Sequence, residues 1–392
     1  MKTTGDQTLV KRINRSVLLR LLRVQPGLSR AQLAQESGLT KSTVSALVRE
    51  LIDEAWLTES DTVNAKGAGR PSTPLQIDGR TRALVGVEVA VDKLRVACVS
   101  LVGKILWSSE EPMLDQQPAQ VCQQIANLVA RAHDLLLSWG LQLTGLGVGL
   151  PGAFDETTGK VHFASNLGWW NVDFLPLFTQ AMAQVHLPPM PVYVQNEADT
   201  AALSEYEFVE GPVSDSLIFV TCDIGVGAGI VLNDRLFTGQ YGGAGEIGHG
   251  ILQIDGPLCS CGRRGCAETF FGARALARLA DPVSGGKYLG VVLANLWTTF
   301  DPSVLIVGGP SCDKYPGLIT RAEATLKTYA DSARMPAPPV RAARYGLLAS
   351  AVGAAALVLH RQLRPLHTPT AYAINPVSVA SDLNVSSQPP GE

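Results

Sequence analysis

Hydrophobic spacing divides the chain into amphipathic helices at its N-terminus, a long alternation of buried strands and helices, and a patternless tail. In residues 9–24, Ile13, Val17, Leu18, Leu21 and Leu22 recur at helical spacing, with Arg12, Arg15, Arg20 and Arg23 outside the stripe. Pro26-Gly27 stops this helix. Ser29 stands as the cap of a short helix over 30–37, and Gly38 closes it at the left-handed position of a tight helix–helix turn. Thr40 caps a third helix over 41–55, whose Val44, Leu47, Val48 and Leu51 form one buried stripe. Two strands around the glycine-rich stretch 65–71 complete a wing, and 71–78 reads as a hinge.

From Ala83 the period changes to that of strands, over 84–89, 94–100 and 104–107. A helix over 119–139 and a buried strand over 145–150 follow. A second half opens near Ser216 with a strand over 217–223, a glycine turn and a strand over 229–232. Two such halves around a cleft predict a two-lobed α/β fold of the actin-like (ribonuclease H-like) ATPase type. The expected domains are a winged helix-turn-helix over 1–71, a linker over 72–82, a body over 83–363 and a disordered tail over 364–392. The run 349–359 is too short to span a bilayer, so no membrane segment is expected.

Charge sharpens the reading of the head. Residues 1–82 carry 13 Lys+Arg against 8 Asp+Glu, a net of +5 within a chain whose total is −3. A basic head on an acidic body points to a polyanion as the partner of the head. Opposite its buried stripe the third helix offers Lys41, Ser42, Thr43, Ser45 and Arg49, short polar groups and cations suited to a major groove. Arg70, just past the glycines, resembles the short arms that enter a minor groove. The expected partner is double-stranded, palindromic operator DNA, read by a homodimer or homotetramer.

The densest chemistry lies in 249–268. His249, Cys259, Cys261 and Cys266 supply one nitrogen and three sulfurs, the donor set that tetrahedral zinc prefers. Four protein ligands leave no open position, so one structural zinc per chain is expected. Cys98, Cys122, Cys222 and Cys312 are scattered, which argues for a reducing cytoplasm rather than a disulfide framework. Glu246 and Glu268 bracket the cluster and can accept hydrogen bonds from a polyhydroxyl ligand. Asn196 opens a helical run, either as its cap or as a cap that also faces the cleft.

The two expected hairpin turns differ. Asp223–Gly229 carries glycines at Gly225, Gly227 and Gly229, able to cradle phosphate through backbone N–H groups. The first, Glu88-Val-Ala-Val-Asp92, has none, and Asp92 adds negative charge where phosphate would sit.

In this order and combination the motifs resemble the ROK family (repressors, open reading frames and sugar kinases), within it the repressor branch that includes the xylose repressors. The resemblance rests on the winged head, Gly149-Leu-Pro-Gly152, Asn166-Leu-Gly-Trp-Trp170, Asn196-Glu-Ala198, Glu246-Ile-Gly-His249, the cysteine cluster and Gly308-Gly309. It implies that Asn166, Asn196, Glu246, His249 and Glu268 line a monosaccharide pocket, with Glu197 beside them. The family's kinases place an aspartate base after the asparagine. Here that position is Glu197, one methylene longer, and the first phosphate loop departs from the kinase pattern. The expectation is therefore a repressor of carbohydrate metabolism responding to a xylose- or glucose-like sugar. Glu197 stands as a vestigial catalytic candidate; an ATP-dependent sugar kinase and a sugar-responsive activator are the alternatives.

Overall fold

Side chains that bond their own backbone set the ends of the head's helices. The computed structural model describes residues 6–60, 73–209 and 216–365, with the backbone of 372–373. Helix α1 spans Gln7–Val24, α2 Arg30–Ser37 and α3 Lys41–Asp53. Ser29 and Gln32 form a reciprocal capping box at α2, Gly38 ends it at φ 69°, and the Thr40 hydroxyl accepts from the Thr43 N–H. The head's core is Leu18, Leu22, Leu33, Val44, Val48 and Leu51, all essentially inaccessible.

The wing differs from its expected boundary. β1, Leu57–Glu59, pairs antiparallel with β2, Leu75–Ile77, so the second wing strand occupies part of the stretch expected to be linker. Leu75 drives this: it is fully buried, and its backbone bonds Leu28 and Gly27. The wing tip, Arg70 included, lies outside the described residues.

The body begins with β3 (Arg82–Val89), β4 (Lys93–Ser100), β5 (Ile105–Pro112), α4 (Pro118–Ser138) and β6 (Gln142–Leu150). A small sheet of β7 (Ala153–Asp155), β8 (Lys160–Ala164) and β9 (Trp169–Val172) precedes α5 (Phe174–Ala183), β10 (Pro191–Asn196) and α6 (Glu197–Glu207). The second lobe holds β11 (Ser216–Cys222), β12 (Val226–Leu232), β13 (Arg235–Leu236), α7 (Glu268–Phe271), α8 (Ala273–Leu276) and α9 (Gly286–Phe300). It closes with β14 (Val304–Gly308), α10 (Pro310–Lys314), α11 (Gly317–Ala333), β15 (Val340–Ala342) and α12 (Ala349–Gln362). Both sheets share one plan, an antiparallel hairpin beside parallel strands: β10-β6-β3-β4-β5 in one lobe and β13-β12-β11-β14-β15 in the other. The two-residue β16, Tyr372–Ala373, pairs with β10 inside the segment expected to be disordered.

Between the sheets lie α12 and α6, packed backbone to backbone. A Cβ on Gly147 of β6 would stand 1.7 Å from the Ala354 carbonyl, and one on Gly353 of α12 would stand 1.6 Å from that of Thr200. Each lobe therefore leans on one of two helices that are themselves in contact. Their N-terminal ends meet through the Thr200 and Ser350 hydroxyls, 3.0 Å apart. At about 1.5 Å per residue, α6 and α12 run roughly 16 and 21 Å away from that point.

Their far ends hold the head. Arg23 pairs with Glu207, whose side chain is fully buried, and Arg20 pairs with Asp234. Glu207 also accepts from His360 Nδ1 at 2.6 Å and from Arg364 at 2.7 Å; Arg364 and the Tyr206 hydroxyl each reach Asp234 at 2.6 Å. The Ser16 hydroxyl donates to the Leu363 carbonyl. Arginines that the helical pattern leaves outside the stripe thus tie α1 to the body, because α1 has a second buried face.

Burial, with Arg364 and Arg361 adding repulsion, holds the His360 imidazole well below its ordinary value of 6.5. A depressed folded-state value stabilises the fold above the unfolded value and stops doing so as pH falls below it. Relative to His360→Gln, the wild type should therefore lose stability as pH drops from about 7 to 5, read by urea melts. Parallel pH profiles for the two proteins would contradict this.

Candidate functional site

The cleft between the lobes is assembled from element ends. The β10–α6 junction brings Asn196 and Glu197, the β11–β12 turn brings Asp223 and Gly225, and the turn Ile247–His249 brings Glu246 and His249. Glu268 enters at the start of α7 and Asn166 from the loop before β9. All six residues expected around a sugar, Asn166, Asn196, Glu197, Glu246, His249 and Glu268, line this single cleft. Its volume is about 80 Å³, below the ~300 Å³ of typical small-molecule pockets.

Asn196 is both a cap and a wall. Its Oδ1 accepts from the N–H groups of Ala198 and Asp199 at 2.7 and 3.3 Å, and its amide donates to Gly152 O and Glu197 Oε2, both at 2.9 Å. Two donors and two acceptor directions are thereby used, so its work in this arrangement is to aim Glu197. Burial, with Glu246 adding repulsion, pushes the Glu197 carboxyl well above the usual range. Glu246 is pushed up to about 7, by burial first and Glu268 second. The buried Oδ1 of Asn166 has no partner among the described residues, which leaves an acceptor for a ligand hydroxyl.

Sequence reasoning passed over Glu88, Asp223 and Ser350, which also line the cleft. Asp223 heads the glycine turn, and that position was its available signal. Glu88 had none: its partner Arg95 lies on the next strand, 3.1 Å away and buried, with Glu110 on the guanidinium's other edge at 2.7 Å. The hairpin that carries the first turn therefore has Glu88 paired across its strands with Arg95, and the turn itself lacks glycine.

The second hairpin keeps Gly225 and Gly227 of the expected phosphate loop on the cleft wall. Of its three glycines only Gly225 sits in the turn, while Gly227 and Gly229 belong to β12. A Cβ on Gly229 would lie 2.1 Å from the Ala198 carbonyl. That glycine exists to let α6 pack on the second sheet, a close-approach requirement that looks the same in sequence as a phosphate cradle.

Beside the cleft, one ligand atom from each of His249, Cys259, Cys261 and Cys266 falls within 4.8 Å of the others. Cys261 and Cys266 Sγ are 3.7 Å apart, and His249 Nδ1 is 3.6 Å from Cys259 Sγ. A tetrahedron with metal–sulfur bonds of about 2.3 Å has edges near 3.8 Å, so the cluster has the dimensions to hold a metal ion. The other ring nitrogen of His249, Nε2, faces Glu246 at 3.9 Å.

On the head, Lys41, Ser42 and Arg49 are exposed along α3, with Thr43 and Ser45 half-buried. Thr43 shares its hydroxyl with the Thr40 cap at 2.8 Å, so part of its expected DNA-facing chemistry is spent locally.

With this geometry in hand, the sequence pattern of the ROK family matches residues 84–284, just over half of the chain. The chain belongs to the ROK family. The winged helix-turn-helix DNA-binding pattern matches residues 12–54, spanning α1 to α3. A xylose repressor of Caldicellulosiruptor bescii is 33% identical over 274 residues, covering 69% of this chain and 67% of that relative. A ROK family transcriptional regulator, described as a homolog of E. coli MLC protein, superposes with a TM-score of 0.70 at 21% identity. It covers 91% of this chain and 98% of that one, and supports the fold of head and body together. A ROK family glucokinase from Streptomyces griseus, solved with glucose and AMPPNP, matches at TM-score 0.59 and 27% identity, covering 70% of this chain and 98% of that one. Among the described residues no helix is long and apolar enough to cross a membrane.

The ROK cluster geometry carries a direct check. Metal that purifies with the wild-type chain should be lost from Cys261→Ser, measured by atomic emission; equal metal content in the two proteins would contradict the four-ligand assignment.

Proposed function

We propose that this ROK-family chain is a DNA-binding transcriptional repressor whose operator affinity is set by a monosaccharide, xylose- or glucose-like, in the carboxylate-lined cleft. The observation that carries this is the placement of α6 and α12. Both start at the cleft, at Glu197 and Ser350; α6 ends on the head at Glu207, and Leu363, just past α12, accepts from Ser16 of α1. A sugar held by Asn166, Glu197, Glu246, His249 and Glu268 stabilises one mutual arrangement of the lobes. Because each lobe packs on one of the two helices, that arrangement reaches α1 as a change in head angle. Two heads in a homodimer or homotetramer then fit or miss half-sites about 34 Å apart on a palindromic operator. Lys41, Ser42, Ser45 and Arg49 face the DNA, with Thr43 at the cap and Arg70 in the wing.

The metal in this reading is one structural zinc per chain. Four protein donors leave no position for a reactive water. His249 puts Nδ1 on the ion and keeps Nε2 toward Glu246 and the sugar, so the metal fixes the direction of a sensing side chain.

Phosphoryl transfer is not part of the proposal. The first hairpin offers Glu88–Arg95 where a phosphate loop needs open backbone, and Glu197 is a longer carboxylate tied by Asn196. Ångström-scale displacement of a base is costly to catalysis. The likeness to a glucokinase keeps an ATP-dependent sugar kinase as the second reading, and a sugar-responsive activator shares the same geometry.

A mobility-shift titration with pentoses, hexoses and N-acetylated sugars should find at least one that weakens operator binding tenfold or more, a coupling of about 1.4 kcal/mol. No response across the panel would overturn the sensing role. A coupled phosphotransfer assay on the same sugars should stay far below ~1 s⁻¹; turnover at an ordinary enzyme rate would favour the kinase reading.

A further inference from the structure

A cavity larger than the sugar cleft lies elsewhere among the described residues. Between head and body lies a space of about 580 Å³, within the ~300–1,000 Å³ of small-molecule sites. Its apolar wall includes Leu22 from α1, Leu101 from the β4–β5 turn and Phe208 from the end of α6. That wall is held in shape: the Tyr345 hydroxyl donates to Gly103 O at 3.0 Å, and the Phe208 and Tyr345 rings meet edge to face.

Three cations, Arg23, Lys104 and Arg344, and one carboxylate, Glu207, line the same space. Arg23 is the telling one. Its side chain is only 9% exposed, yet its Nε has no hydrogen-bond partner among the described residues. Among the described residues its guanidinium, with those of Arg20 and Arg364, faces the carboxylates of Glu207 and Asp234. Burial, with Arg364 second, lowers Arg23 to about 10. Among the described residues Lys104 and Arg344 form no ion pair with a carboxylate; the Arg344 guanidinium lies 5.1 Å over the Tyr345 ring. A buried donor without a partner is unfavourable, and an incoming acceptor satisfies it.

We infer that this junction is a second ligand site, for a small organic anion: one carboxylate, phosphate or sulfonate group carried on an apolar body. The anionic group is taken by Arg23, Lys104 and Arg344, and the apolar part rests on Leu22, Leu101 and Phe208. Since α1 and β2 supply one side and the body the other, occupancy stiffens the head–body joint independently of the sugar cleft. The binding claim does not depend on what the head recognises.

The test is a fluorescence titration of the full chain with 8-anilinonaphthalene-1-sulfonate, an aryl sulfonate of this class. One saturable site per chain is expected, weakened at least tenfold in Lys104→Glu/Arg344→Glu and partly restored in Lys104→Gln/Arg344→Gln. Both positions are exposed, so circular dichroism should show the fold intact. The neutral analogue N-phenyl-1-naphthylamine should bind at least tenfold more weakly than the sulfonate, and Glu246→Gln in the sugar cleft should leave the sulfonate titration unchanged. Unaltered binding in the Glu variant, equal binding of the neutral analogue, or loss of binding in Glu246→Gln would each overturn the assignment.

Discussion

The buried carboxylate of Glu207 is the interaction on which the rest of this molecule depends. It sits at the end of α6, wholly inside protein, and is shared by Arg23 of the head, His360 of α12 and Arg364 beyond it. A buried carboxylate is tolerable only when its oxygens are fully partnered, and removing one partner of such a pair costs about 3–5 kcal/mol. Three segments far apart in sequence must therefore come to the same point. The head is not strung from the body on a tether; it is docked through charge that would be expensive to expose.

The same helices that end in charge begin in the cleft, and there too carboxylates are crowded. Burial raises Glu197, Glu246 and Glu268 alike, with Glu246 adding repulsion on Glu197 and Glu268 on Glu246. Ligand hydroxyl groups relieve such crowding by donating hydrogen bonds. In the proposed repressor, filling the cleft and tilting the head are two ends of one pair of rods. The glycine contacts at Gly147, Gly229 and Gly353 matter for the same reason: backbone against backbone leaves little slack between lobe and helix.

Much of this was legible in the sequence, and the legible parts share a property: their signal is local. The helix caps at Ser29 and Thr40, the glycine at Gly38 and the histidine–cysteine run all work within a few residues of themselves. Residues separated by a hundred positions, Asn166 and Glu268 among them, reach the cleft as the ROK resemblance implied. What failed was long-range or ambiguous. Arg20 and Arg23 looked like outward-facing basic residues because their carboxylate partners lie about two hundred residues away. Leu75 sat in a proline-bearing stretch that read as a hinge, yet its burial makes it a wing strand. Gly229 read as part of a phosphate cradle, yet a Cβ there would meet the Ala198 carbonyl; glycine needed for helix packing and glycine needed for a ligand leave the same letter.

In the proposed repressor, sugar and operator communicate through the contacts of α1 with the body. Coupling between two ligands is reciprocal, so it can be read from the sugar side. Calorimetric titration of the releasing sugar into the wild type, with and without operator duplex, should show roughly tenfold weaker binding on DNA. In Ser16→Ala/Arg20→Gln, which cuts two head–body contacts outside the Glu207 node, the sugar affinity without DNA should hold and the difference caused by DNA should shrink severalfold. Full coupling in that variant would contradict the account.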